Sequence, residues 1–296
     1  MLFLQKIRFI KIAITLICTV LGVFMPNTFL WVLAAINVLT IGIIHGANDL
    51  FILSKASKTV KKRQFSYLFV SYVFFVLVMV FALQSIPQWA ILLFVLVSAY
   101  HFGEQQWHTS QIVNAPKIYL FYAVYGVFLF ALLFYTHIDQ TIAVINELTA
   151  ITLKVQLFQL LLILSSVLSV FLLVLNYNQL KRQLPFQFFA LLALTLLFTQ
   201  TSLLWSFAVY FVLWHSLPSL KAQALELFPD KPKPITSYLK LALPYWILAM
   251  IGFALALLYY KDNSDTLLAV FFSFLAAITI PHVFVIFRMY QKKEFP

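Results

Sequence analysis

The stretch FSYLFVSYVFFVLVMVFALQ, residues 65–84, is a run of twenty residues without a charged side chain. A helix of this length crosses the hydrocarbon core of a bilayer, which is about 30 Å thick. The whole sequence has the same character, since 63% of its 296 residues are hydrophobic, 18% are aromatic and only 10% are charged. Water-soluble domains do not have that balance. The stretch therefore predicts one span of a polytopic helical membrane protein.

Similar apolar runs recur from end to end, separated by charged segments or by segments rich in Pro and Asn. They predict about ten spans, at 8–25, 29–53, 65–84, 88–107, 117–136, 154–176, 186–200, 202–220, 238–260 and 266–288. Nine spans remain possible, because the seventh run is short and the break at 199–202 is thin. The predicted fold class is all-α, a polytopic transmembrane helical bundle in which residues 1–296 form a single integral membrane domain. We expect the first run to be an uncleaved helix, because it lacks the small-residue cleavage site of a signal peptide.

The basic residues support this count. With the N-terminus inside, every Lys and Arg except Lys154 and Lys261 falls in an inner segment of the chain. This bias predicts ten spans with both termini cytoplasmic. It also explains the net charge of +11 as topology together with attraction to anionic lipid of the bilayer, which argues against a nucleic-acid partner.

Four of the six histidines lie inside predicted spans, namely His45, His101, His215 and His282, whereas His108 and His137 lie near helix ends. Under the predicted topology the four come about five to eight residues before the inner ends of their helices, roughly 8–12 Å from the cytoplasmic interface. An ionisable side chain inside a span is costly and rare unless it has a partner and a function. One such histidine is well explained by a helix–helix hydrogen bond, but four at one depth are not. Because iron, zinc, copper and nickel bind neutral imidazoles, the pattern predicts a shared metal site.

Two acids accompany these histidines. Asp49 comes four residues after His45 and Glu104 three residues after His101, so each acid is expected to share a helical face with its histidine. A carboxylate beside a metal-bound imidazole commonly accepts its second N–H, which fixes the tautomer. Asp49 lies deep in a span and needs a partner on electrostatic grounds. Glu104 is explained equally well as a solvated helix end.

Small and helix-breaking residues surround the same positions. Gly42, Gly46 and Gly103 are expected to allow close approach of neighbouring helices. Pro218 and Pro281 are expected to kink their helices and free backbone groups near the site.

At these segments the chain resembles the Brp/Blh family of bacterial β-carotene 15,15′-dioxygenases. The stretch HGAND at 45–49 resembles the family's His-Gly-Ala-x-Asp element, and YHFGE at 100–104 resembles its Tyr-His-Phe-Gly-Glu element. The pairs His215-Ser216 and Pro281-His282 resemble the later elements. One departure concerns the second histidine that family members often carry one helical turn after the His-Ser pair, because that position is Ser219 here. Either His282 completes the ligand set, or the set is three histidines with a carboxylate or water.

The resemblance implies an enzyme that cleaves the central double bond of β-carotene with O2 at a non-haem Fe(II) centre, giving two molecules of all-trans retinal. Carried over residue by residue, it implies His45, His101 and His215 as iron ligands, His282 as the fourth, and Asp49 and Glu104 as the carboxylates behind them. It also implies a multi-pass protein of the bacterial inner (plasma) membrane, with a retinal-binding rhodopsin as a client. The 32 Phe, 14 Tyr and 6 Trp residues suit a long, flat, apolar ligand that partitions into the bilayer.

Two other functional classes fit part of the sequence. A proton- or metal-coupled transporter would also have many spans, broken helices and buried ionisable groups, but polar residues are few inside these spans and no inverted repeat is visible. A membrane desaturase or another histidine-ligated oxygenase is the nearer enzymatic alternative. Desaturases carry about eight histidines in tight clusters, whereas no two histidines here are closer than seven residues.

Overall fold

The computed structural model describes residues 2–56, 62–108, 116–259 and 267–292, and all regular secondary structure within these ranges is helical. The α-helices are α1 (Leu2–Phe24), α2 (Asn27–Asn37), α3 (Asp49–Ala56), α4 (Lys62–Ser85), α5 (Pro87–Trp107), α6 (Pro116–Thr136), α7 (Ile138–Thr149), α8 (Val155–Leu175), α9 (Tyr177–Leu180), α10 (Leu184–Gln200), α11 (Leu203–Val209), α12 (Leu217–Leu227), α13 (Pro234–Tyr259) and α14 (Leu267–Lys292). Two π-helical segments, Val38–Gly42 and Tyr210–Ser216, follow α2 and α11. The all-α prediction is confirmed for the described residues.

Among the described residues, six helices are long and apolar enough to cross a membrane, at Phe65–Ser85, Pro116–Thr136, Val155–Leu175, Leu203–Leu227, Pro234–Tyr259 and Ala269–Met289. Two further apolar helices, Asn27–Gly42 and Leu184–Gln200, are shorter. These findings support a helical membrane protein. The count of ten spans and the cytoplasmic termini stay predictions, and Lys261, which entered the charge argument, lies outside the described residues.

Three local features refine the predicted runs. The run 29–53 is not one helix, because α2 passes into the π segment Val38–Gly42 and a turn at 45–48 precedes α3. The predicted loop after the fifth run contains α7, in which Ile138, Ile142 and Ile145 recur at helical spacing. The thin break at 199–202 does separate α10 from α11, since Thr201 and Ser202 have extended backbone conformations.

The chain divides into two compact units. The first unit comprises Met1–Val38, Ala99–Ala143 and Thr152–Ser216, and the second comprises Leu39–Ser98, Val144–Ile151 and Leu217–Pro296. The single integral membrane domain expected for 1–296 stays a prediction.

In the first unit α6 packs along α8 and α1 packs along α10. Helices α5 and α6 approach so closely that a Cβ atom added at Gly126 would lie 1.7 Å from the carbonyl oxygen of Ala99. A Cβ atom added at Gly103 would lie 1.9 Å from the carbonyl oxygen of Tyr122. Only glycine fits at either position, so the packing role predicted for Gly103 is confirmed, with Gly126 as its counterpart on α6.

Two indole groups tie the eighth predicted span to α1 within the same unit. Trp205 donates its Nε1–H to the carbonyl oxygen of Cys18, and Trp214 donates its Nε1–H to Oγ1 of Thr15, both at 2.9 Å. A buried Trp usually finds such a partner for its N–H. These bonds fix the backbone around Trp214, which immediately precedes His215.

In the second unit α14 packs against α3 and α4, and α12 packs against α13. A buried apolar cluster, which we call the α3–α14 cluster, joins α3 to α14 and consists of Ile52, Val285, Ile286 and Met289. Pro281 lies inside α14, and Pro218 lies in the first turn of α12 directly after the second π segment. The breaks in regular α-helix fall next to His45 and at His215, whereas α14 continues as α-helix through Pro281 and His282.

Large apolar side chains cover the exposed faces of several long helices. On α4, for example, Phe74, Phe75 and Phe81 are exposed. Contiguous exposed apolar surface of this kind is rare on soluble monomers. It is the expected surface of helices that contact lipid.

Candidate metal centre

His45 lies where the second predicted span breaks. The π segment Val38–Gly42 ends shortly before it, the chain turns through 45–48, and α3 begins at Asp49. The Nδ1 atom of the His45 ring is hydrogen-bonded to the carbonyl oxygen of Gly42. Because a carbonyl only accepts, Nδ1 carries the proton and the lone pair of the neutral ring is on Nε2. This is the tautomer in which Nε2 serves as a metal ligand.

His282 follows Pro281 on α14 and has the same tautomer for a different reason. Its Nδ1 lies 2.9 Å from Oδ1 and 3.0 Å from Oδ2 of Asp49. The carboxylate accepts the Nδ1–H, so the lone pair of a neutral ring is again on Nε2. The rings of His45 and His282 have their centroids 4.7 Å apart and are nearly perpendicular, at 87°. Two imidazoles of the second unit thus lie in edge-to-face contact.

The region around this pair is closely packed and polar. A Cβ atom added at Gly46 would lie 3.2 Å from Nδ1 of His282, so any larger residue at this point of the turn would press on the ring. The sequence predicted that Asp49 shares a helical face with His45. The chain instead turns at 45–48 before Asp49, and the Asp49 carboxylate is hydrogen-bonded to His282. Asp49 also accepts a hydrogen bond of 2.9 Å from the hydroxyl of Tyr72.

The first unit holds a second pair, His101 of α5 and His215 of the second π segment. Their ring centroids are 4.8 Å apart and the rings meet at 79°. Phe102 stacks on His215 with centroids 4.2 Å apart and an interplanar angle of 27°. Phe211 stacks less closely on the same ring, at 5.5 Å. The aromatic side chains hold the His215 ring in one orientation and exclude water from that side.

The backbone around His215 is held by two side chains. Ser216 donates its hydroxyl to the carbonyl oxygen of Phe211, five residues earlier, at 2.9 Å. Gln105 of α5 donates Nε2–H to the carbonyl oxygen of His215 at 2.9 Å. These bonds satisfy carbonyl groups in a segment where the regular α-helical pattern is interrupted, and π turns of this kind are frequent at functional sites.

Glu104 is buried, with 4% of its surface exposed, so its interpretation as a solvated helix end is wrong. It accepts a hydrogen bond of 2.9 Å from the hydroxyl of Tyr100, one helical turn earlier. The acid that accompanies each histidine pair in sequence is therefore bonded to a tyrosine hydroxyl, Glu104 to Tyr100 and Asp49 to Tyr72.

Ser219, which stands where family members often have a histidine, belongs to a polar chain in the second unit. Its Oγ is 2.9 Å from Nε2 of Gln223, and Oε1 of Gln223 is 2.9 Å from the hydroxyl of Tyr238. The hydroxyl oxygen of Tyr238 is closer still to the carbonyl oxygen of His45, at 2.6 Å, and its single proton can be donated to one of these two acceptors. Ser219 thus takes part in a polar chain that reaches the backbone of His45.

His137 lies apart from both pairs in its bonding. It is buried in the first unit, with Nδ1 2.8 Å from the carbonyl oxygen of Leu133 and Nε2 2.7 Å from that of Thr201. Both nitrogens lie against backbone carbonyl oxygens, and a neutral ring donates its one N–H to one of them. It has the role of a structural hydrogen-bonding residue.

Sequence reasoning missed Tyr72, Tyr238 and Gln105. Nothing in the pattern of 14 Tyr residues singles out Tyr72 or Tyr238, because their hydroxyls reach residues of other helices. The four histidines themselves are almost fully buried, with exposed fractions of 4% for His45, 1% for His101, 3% for His215 and 5% for His282. His45, His215 and His282 each offer one ring nitrogen compatible with metal binding.

The donor set fits a transition metal. Neutral imidazoles in a buried setting, with tautomers fixed by a carbonyl and a carboxylate, are what such a metal requires of its protein ligands.

The comparison with protein-family models agrees with these observations. A search of curated proteins and a search of solved structures found no match. The family model described as beta-carotene 15,15'-dioxygenase matches residues 36–290, a range that includes the two histidine pairs together with Asp49 and Glu104. This confirms the resemblance noted in the sequence. The chain belongs to the beta-carotene 15,15'-dioxygenase family.

Proposed function

We propose that this protein cleaves the central 15,15′ double bond of β-carotene with O2, giving two molecules of all-trans retinal, at an Fe(II) ion held by His45, His101, His215 and His282. The family implies a carotenoid-cleaving dioxygenase. The observation that carries the proposal is that each compact unit holds a buried pair of imidazoles with ring centroids 4.7 Å or 4.8 Å apart.

The choice of iron rests on the donor chemistry together with the reaction. Imidazole suits several divalent metals, but a non-haem Fe(II) with open coordination positions is the usual partner of O2 in dioxygenases. When bound, the ion would supply the redox chemistry that brings O2 to react with the polyene. The protein contributes the imidazoles, their tautomers and a dry setting.

We propose His282, not Ser219, as the fourth ligand. The Nδ1–H of His282 is held by Asp49 at 2.9 Å, which leaves Nε2 as the donor atom and increases its basicity. The hydroxyl of Ser219 is hydrogen-bonded to Gln223. Asp49 then orients His282, and Glu104 is proposed to act similarly in the first unit.

The surroundings of the histidines suit an apolar polyene. Phe102 contacts His215 and Phe130, and its ring is also 5.6 Å from that of Tyr210. Such aromatic walls exclude water from the reacting double bond and present flat surfaces to a flat substrate. Because β-carotene dissolves in the bilayer, a site among membrane helices meets it without extracting it into water.

The cellular setting follows from the same proposal. We place the protein in the bacterial inner (plasma) membrane, in contact with the lipid bilayer, as a multi-pass protein of ten spans with both termini cytoplasmic. A retinal-binding rhodopsin is the proposed client for the product. Reporter fusions at the two termini should both report a cytoplasmic location.

The direct test uses purified protein in detergent with Fe(II), O2 and β-carotene, and detects retinal by chromatography. The wild-type protein should produce retinal and contain iron in a fixed ratio to protein. His45→Ala and His101→Ala remove one ligand from each pair and should abolish retinal formation and lower the iron content.

His137→Asn provides the matched control. His137 is a buried histidine whose ring nitrogens contact backbone carbonyls, so the folded fraction of this variant should keep its iron and its activity. Full activity in both alanine variants would refute the iron site. Ion uptake by proteoliposomes without any cleavage of β-carotene would instead favour a transporter.

A further inference from the structure

Asp49 is a carboxylate with 2% of its surface exposed that accepts hydrogen bonds from two other helices. His282 of α14 donates from Nδ1 at 2.9 Å, and Tyr72 of α4 donates its hydroxyl to Oδ2 at 2.9 Å. We propose that Tyr72 is a positioning residue that fixes the orientation of Asp49 and, through Asp49, the tautomer and ring orientation of His282. This inference rests on the proposed function, because it assigns His282 to a metal.

The position of Tyr72 is set by packing. Its ring packs against the α3–α14 cluster, which joins the helix that carries Asp49 to the helix that carries His282. The hydroxyl is therefore placed before any ligand binds. A side chain fixed in this way orients its partner with little further loss of conformational entropy.

The carboxylate has a reason to need both donors. An ionised carboxylate only accepts hydrogen bonds, and a buried one is strongly destabilised unless its oxygens are paired. Nδ1 of His282 lies 2.9 Å from Oδ1 and 3.0 Å from Oδ2, so with His282 as the only donor both oxygens would share one N–H, and the carboxylate and the imidazole could turn together. The Tyr72 bond to Oδ2 prevents that rotation. The ring of His282 then presents Nε2 in one direction.

The preceding turn restricts the ring from the other side. A Cβ atom at Gly46 would be 3.2 Å from Nδ1 of His282, so the backbone of the turn already lies against the ring. His282 is thus confined by the turn on one side and by the Asp49–Tyr72 pair at Nδ1. Metal affinity should therefore depend on the turn at Gly46 and on the Asp49–Tyr72 pair.

The test is Tyr72→Phe, which removes one hydroxyl and keeps the ring that packs on the α3–α14 cluster. Co(II) is titrated into the metal-free protein in detergent and followed by its visible absorption, which reports coordination geometry. Loss of the group that accepts the second N–H of a metal-bound imidazole typically weakens metal binding by about 10–100-fold, and because Tyr72 acts one residue further out, through Asp49, the lower end of that range applies. We expect a weakening of that size and a changed Co(II) spectrum. Tyr67→Phe is the matched control, since Tyr67 is on the same helix with 59% of its surface exposed, and it should bind as the wild type does.

A double-mutant cycle separates positioning from a general effect on folding. If Tyr72 acts through Asp49, then Tyr72→Phe should have no further effect on Co(II) affinity in an Asp49→Asn background. Equal losses in both backgrounds would refute the positioning role.

The two proposals fail in distinguishable ways. A wild-type protein that does not bind Co(II) would refute the iron site and with it the role of Tyr72. Tight binding by the wild type with unchanged affinity and spectrum in Tyr72→Phe would refute the role of Tyr72 alone.

Discussion

The contact between α5 and α6 supports a quantitative prediction for Gly126→Ala. The added Cβ would lie 1.7 Å from the carbonyl oxygen and 2.4 Å from the carbonyl carbon of Ala99. Carbon–oxygen contacts between helices normally lie at about 3.3–3.6 Å, so the helices would have to separate by about 1.5 Å or more. The obstacle is backbone, and no change of rotamer relieves it.

The separation should affect both stability and activity. Overpacking of this kind typically costs about 1–3 kcal/mol, which should lower the melting temperature by several degrees. Ala99 is two residues before His101 on the same helix, so the imidazole would move with the backbone. A misplacement of about 1 Å can reduce a rate by about 100-fold, and we expect retinal formation per folded molecule to fall by that order.

The assays are thermal denaturation in detergent and retinal formation at matched amounts of folded protein. Gly252→Ala is the control, because a Cβ at Gly252 meets nothing within 4 Å and alanine is favoured over glycine by about 1 kcal/mol inside a helix. This control should melt at an equal or higher temperature and keep its activity. If Gly126→Ala behaved as Gly252→Ala does, the close approach of α5 and α6 would be refuted.

Two further variants test the environment of the histidines. Gly46→Ala places a Cβ 3.2 Å from Nδ1 of His282, and the resulting shift of the ring should weaken Co(II) binding by about tenfold; wild-type affinity in a titration would show that the ring tolerates the added atom. Ser216→Ala removes the hydroxyl that donates to Phe211 at 2.9 Å, which should destabilise the folded protein by about 1 kcal/mol and appear as a lower melting temperature. An unchanged melting curve would mean that the π segment does not depend on that bond.

The long, uniformly apolar helices were the most predictable part of the fold. The run 65–84 became α4, Lys62–Ser85, and the run 117–136 became α6, Pro116–Thr136. Their apolar sequences are uniform and end at charged or helix-starting residues, so the ends are marked in the sequence. The run 29–53 was less predictable, because hydropathy averaged over a window of about 19 residues does not register a four-residue turn such as 45–48 inside a mostly apolar run.

The candidate site also has a part that the sequence predicted and a part that it did not. The sequence identified the four histidines because an imidazole within an apolar run is conspicuous. It did not identify which histidines pair, because hydropathy does not determine which helices are neighbours. It also did not identify Tyr72, since tyrosine is common in membrane helices and its hydroxyl bonds to Asp49, 23 residues away.

The π segment Tyr210–Ser216 has a consequence for how the direction of His215 is determined. A π turn holds one more residue than an α turn, and each residue of an α-helix advances the side-chain direction by about 100°. A helical wheel drawn from α11 onward would therefore assign His215 to the wrong face. The direction of the His215 side chain therefore depends on the number of residues in the π segment as well as on their identity. Deletion of one residue from this segment would rotate the imidazole away from His101 even if every remaining side chain were kept.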